Sequence, residues 1–99
     1  MEIKVNAVGF SASTTLNDFI VKKISKLERY HEGILNVNVT LKLEKDDNLE
    51  NKVSEIEVNL RGQNAFAKKN AKTFEESIDY LYDVLKRQLI KMKEKDRGI

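Results

Sequence analysis

Leu35-Asn36-Val37-Asn38-Val39-Thr40-Leu41-Lys42-Leu43 alternates apolar and polar residues without a break. Successive side chains of a strand point to opposite faces. This period of two therefore predicts a strand with Leu35, Val37, Val39, Leu41 and Leu43 on one face. Asn36, Asn38, Thr40 and Lys42 lie on the other. A sheet built on such a strand has one face to bury and one to leave in water. What buries the first must come from elsewhere in the chain.

Working outward, the same alternation recurs. Residues 2–8 place Ile3, Val5 and Ala7 opposite Glu2, Lys4 and Asn6. Lys52–Leu60 sets Ile56, Val58 and Leu60 against Glu55, Glu57 and Asn59. Gln63–Lys69 is a weaker strand, with small Ala65 and Ala67 on one side and Phe66 on the other. Asp46–Asn51 is polar and turn-like, and Gly62 marks the next turn.

Two segments carry the helical period instead. Leu16, Ile20, Ile24 and Leu27, flanked by Phe19 and Tyr30, follow a capping residue at Ser13 or Thr14 and run toward a stop at Gly33. Thr73-Phe74-Glu75-Glu76 has the capping-box pattern. Beyond it Phe74, Ile78, Leu81, Leu85, Leu89 and Met92 form one apolar stripe, with Tyr82 beside it. The expected order is β-α-β-β-β-α, an α+β fold. A right-handed crossover pairs the first two strands in parallel, and a meander completes a four-stranded mixed sheet. Both helices pack on one face, as in double-stranded-RNA-binding domains. Residues 93–99 lack apolar anchors and are expected to form a flexible tail.

The 99 residues suit a single domain. Net charge is only +2 although 34% of residues are charged. Its distribution is uneven. Residues 85–97 hold six basic residues against two acidic ones, whereas residues 44–57 are mostly acidic. At 100° per residue, Arg87, Lys91 and Lys95 stack in one row that Tyr80 and Val84 extend. Lys86, Lys93 and Arg97 form a second row. On the first helix Lys22, Lys26 and Arg29 share a face, and Lys23 sits nearer the apolar edge. Helix-end cations also complement the helix dipole. Ten cations on two short segments go beyond that role and point to a polyanion.

Little supports catalysis. Cysteine is absent, His31 is the only histidine, and the four glycines form no phosphate loop. Asp46, Asp47 and Glu50 lack the spacing of a calcium loop. No cofactor, metal or small-molecule substrate is expected, and the chain reads as a non-enzyme. No stretch has the length of a signal peptide's apolar core or of a membrane span, so the expected location is cytoplasmic.

Lys26-Leu27-Glu28-Arg29-Tyr30, Ile78-Asp79 and Arg87-Gln88-Leu89-Ile90-Lys91-Met92-Lys93-Glu94-Lys95 resemble the ribosome hibernation promoting factors, also called ribosome-associated inhibitors. The likeness runs in order along nearly the whole chain. It implies a domain that binds the small ribosomal subunit and its ribosomal RNA, within the intact ribosome, in the channel of messenger and transfer RNA. Translation is thereby silenced under stress or in stationary phase. It further implies that Lys23, Lys26, Arg87, Lys91, Lys93 and Lys95 contact RNA phosphates, several of which the helical rows name independently. Val84 stands where many members carry Lys, and Thr73 and Glu75 where members often carry Asp and Tyr. A chain ending at Ile99 resembles the short members, for which a separate factor would pair ribosomes. The other readings are a general double-stranded-RNA-binding module, a protein–protein module and an unrecognised hydrolase.

Overall fold

A computed structural model describes residues 1–44 and 49–96. Strand β1 (Glu2–Ala7) leads into helix α1 (Thr14–Ser25), which continues as a 3₁₀ segment, Lys26–Tyr30. Strands β2 (Ile34–Leu43), β3 (Lys52–Leu60) and β4 (Gln63–Ala71) follow, and helix α2 (Phe74–Asp96) closes the chain. The sheet order is β1-β2-β3-β4. β1 and β2 are parallel, and the other pairs are antiparallel. This is the expected β-α-β-β-β-α fold.

Each element forms for a local reason. The Ser13 hydroxyl accepts the Leu16 N–H at 3.1 Å and so caps α1. Thr73 does the same for α2, accepting the Glu76 N–H at 3.1 Å. Gly62 adopts φ 80° in the two-residue β3–β4 turn, a left-handed conformation that glycine reaches without a Cβ clash. The helices bury Ile20, Ile24, Leu27, Ile78, Leu81, Leu85 and Leu89 against Val37, Val39, Leu41, Ile56, Val58 and Leu60. Both therefore cover one side of the sheet. Ala65 and Ala67 on β4 join this core. Inside it Ser54 and Ser77 are fully buried and hydrogen-bond to each other, and Ser77 also donates to the Phe74 carbonyl.

Several expected boundaries and faces shift. The α-helical part of the first helix ends at Ser25, and the 3₁₀ turns end at Tyr30, short of Gly33. Gly33 serves for room instead. Its N–H is donated to His31 Nδ1 at 2.9 Å, and a Cβ there would lie 2.8 Å from His31 Cε1. Leu35 is 52% exposed rather than buried, because the β2–β3 register slips between Ile34 and Asn36. The extra residue reverses the alternation, so Ile34 packs toward the core in its place. Leu43 is also exposed, at the far end of the strand. β1 ends one residue sooner than expected and β4 runs on to Ala71. Residues 46–48 of the turn expected at Asp46–Asn51 lie outside the described residues. α2 stays helical through Asp96, including the first part of the expected tail, while residues 97–99 lie outside the described residues.

Candidate nucleic-acid interface

The sheet register puts Glu2, Asn36, Asn59 and Asn64 in one row of the open face. Lys4, Asn38, Glu57 and Phe66 form the next, followed by Asn6, Thr40, Glu55 and Lys68. Charges here are balanced, and two of the lysines share Glu55. Lys42 Nζ lies 3.0 Å from Glu55, and Lys68 Nζ 4.0 Å from it. The Asn59 amide donates to Asn36 at 2.6 Å, and Asn38 donates to Glu57 at 3.4 Å.

The helical face differs. Lys22, Arg29, Arg87, Lys91 and Lys95 are exposed and Lys26 is half-buried. Among the described residues, the side chains of these six make no ion pair with a carboxylate. Phe19, Lys22, Lys23 and Lys26 line a shallow hollow of ≈ 270 Å³ on α1. Arg87 and Lys91 lie roughly 100° or more round α2 from Lys86 and Lys93. The expected two rows are thus both present, but they face different ways, and it is the Lys86/Lys93 row that meets the 3₁₀ segment and Glu32 just beyond it. Arg97 of that row lies outside the described residues.

The seam between the helices holds the remaining cations. Lys23 Nζ sits 3.3 Å from Asp79 Oδ1 on α2 and 4.8 Å from the centroid of the Tyr82 ring. Tyr82 donates its hydroxyl to Tyr30 Oη at 3.3 Å, and the two rings meet edge to face, 6.5 Å apart. Lys86 Nζ lies 5.1 Å from the Tyr30 ring centroid. Lys93 Nζ donates to Glu32 Oε1 at 2.8 Å. Burial pushes the Tyr82 phenol up to about 12, whereas the bond from Tyr82 holds Tyr30 below the usual tyrosine range, helped by Lys86.

All eight cations named from the sequence therefore lie on or beside the helical side. Lys23 is placed in an interhelical pair with Asp79, and Lys93 in a pair with Glu32 beyond the 3₁₀ segment. Tyr80, the aromatic with an exposed ring on the Arg87 row, is 51% exposed and carries Lys69 Nζ 4.3 Å from its centroid. Lys69 was not marked out by the sequence, because nothing in strand periodicity brings it over α2. Among the described residues no three His, Cys, Asp or Glu side chains cluster as a metal site, and no helix is long and apolar enough to cross a membrane.

Residues 3–97 match the sequence profile of the Sigma 54 modulation protein / S30EA ribosomal protein family. The chain belongs to that family. Within the S30EA ribosomal protein family it is similar to the ribosome hibernation promoting factor of Azotobacter vinelandii, with 34% identity over 96% of this chain and 85% of the relative. It is similar also to that of Klebsiella oxytoca, with 33% identity over 96% of each. Its fold matches the N-terminal domain of Thermus thermophilus Protein Y, with a TM-score of 0.80, 26% identity, and coverage of 93% of this chain and 99% of that one. A ribosomal subunit interface protein from Coxiella burnetii shares the fold, with a TM-score of 0.84, 24% identity, and coverage of 95% and 99%.

Proposed function

We propose that this protein is a ribosome hibernation factor. It docks on the small ribosomal subunit by the cationic side of α1 and α2 and occupies the channel of messenger and transfer RNA. The single observation that carries this reading is the asymmetry of charge. A chain of net charge +2 keeps a balanced sheet face and gathers Lys22, Lys23, Lys26, Arg29, Arg87, Lys91, Lys93 and Lys95 on its helices. The likeness to ribosome hibernation promoting factors supports the ribosome as the partner.

Phosphate binding releases counterions, so affinity falls as salt rises. Arginine offers two parallel donors to a phosphate and lysine a point charge. Inhibition is steric and requires no chemistry: RNA cannot enter space the protein fills. On this reading the protein acts in the cytoplasm, in stress or stationary phase.

Co-sedimentation with purified ribosomes and separated subunits tests this reading. The protein is expected with small subunits and intact ribosomes at low salt, and progressively less as salt rises. A protein that stays at the top of the gradient at low salt refutes the proposal. Equal affinity for free duplex RNA would instead mark a general double-stranded-RNA-binding module, whose layout the α-β-β-β-α part shares.

A further inference from the structure

The cations of the helical side are not equivalent. Lys23 and Lys93 keep only 29% and 27% of their side-chain surface, and each ammonium is engaged by a carboxylate from across the seam. Lys23 reaches from α1 to Asp79 on α2, and Lys93 reaches from α2 back to Glu32, just beyond the 3₁₀ segment. Between them Tyr82 donates to Tyr30, and Lys86 covers the Tyr30 ring. Every one of these contacts crosses the same seam.

We infer that Lys23, Lys86 and Lys93 are positioning residues that set the spacing of the two basic helices, and that phosphates are met by Lys22, Lys26, Arg29, Arg87, Lys91 and Lys95. The inference rests on the proposed RNA-binding function and assigns roles within it. Electrostatics supply the first ground. A phosphate approaching Lys23 also approaches Asp79, and one approaching Lys93 also approaches Glu32. Each pair is close to neutral as a unit and releases few counterions. The second ground is geometry. Exposed ion pairs contribute little stability singly. A series of contacts along one seam nevertheless fixes where each helix sits, and a recognition surface built on two helices depends on that placement. Nothing comparable restrains the other six cations, whose side chains make no ion pair among the described residues.

A charge swap across the seam separates positioning from contact. Ribosome binding is measured against salt for wild type, Asp79→Lys, Lys23→Asp, the double swap Lys23→Asp/Asp79→Lys, and Lys22→Gln. Melting temperatures are recorded for each. Asp79→Lys removes an anion and adds a cation, so a phosphate-contacting Lys23 would let it bind more tightly. The positioning role predicts the reverse: about tenfold weaker binding for each single seam variant, and recovery in the double swap. The double swap should also keep the wild-type salt slope, whereas Lys22→Gln should lower that slope by about one. Asp79→Lys binding as tightly as wild type, or a double swap as weak as Lys23→Asp, overturns the inference. If the single variants do not fold, the double swap against wild type decides alone: wild-type affinity and slope support positioning, and weak binding or a lowered slope refutes it. Failure of wild type itself to bind ribosomes would refute the functional reading instead.

Discussion

Tyr82 shows what packing at the seam does to a single side chain. It is 8% exposed, and its hydroxyl is donated to Tyr30. Burial raises its ionisation from 10.0 to about 12. A group whose folded value lies above its unfolded value contributes stability that is complete below the unfolded value and lost as pH rises through the folded one. The window for Tyr82 is therefore pH 10 to about 12. An alkaline titration followed by tyrosinate absorbance should show Tyr30 ionising ahead of Tyr82, with one phenol persisting until pH approaches about 12. Tyr82→Phe should remove that last step. A wild-type protein whose phenols all ionise together near pH 10 would contradict this.

At the scale of elements, the Ser54–Ser77 bond joins β3 to α2 in a region otherwise apolar. Ser77→Ala leaves the Ser54 hydroxyl buried without that partner and should cost about 1–3 kcal/mol. Adding Ser54→Ala should return most of the loss, which urea denaturation of the single and double variants would measure. The elements themselves were legible because their periods differ: two for β2 and β3, 3.6 for α2. What was not legible has physical causes. The alternation of Leu35–Leu43 passes unbroken through a position where the register slips, since a bulge is decided by the partner strand and leaves no mark on its own sequence. The 3₁₀ segment leaves no separate sequence signal, because five residues are too few to distinguish its period from that of an α-helix. β4 ends later than expected because Lys69 and Asn70 carry weak strand signals and are held by pairing to β3.

Across the whole molecule, 47 Å in its longest dimension, the fold sorts charge by side. The sheet face pairs Lys42 and Lys68 with Glu55, and the helical side leaves most of its cations free of carboxylates among the described residues. The sequence disclosed the rows, because helical geometry is local. It could not disclose that Lys23 meets Asp79 or that Lys93 meets Glu32, because those pairs depend on how two remote helices pack. We propose that the helical side, rather than net charge, binds the ribosome. Two charge-matched triple variants test it most directly by co-sedimentation with ribosomes at low salt. Arg87→Gln/Lys91→Gln/Lys95→Gln and Lys4→Gln/Lys42→Gln/Lys68→Gln remove the same charge from opposite sides. The expected result is loss of binding by the first, with an unchanged melting temperature, and near wild-type binding by the second. Equal loss in both, or loss in the second alone, would contradict it.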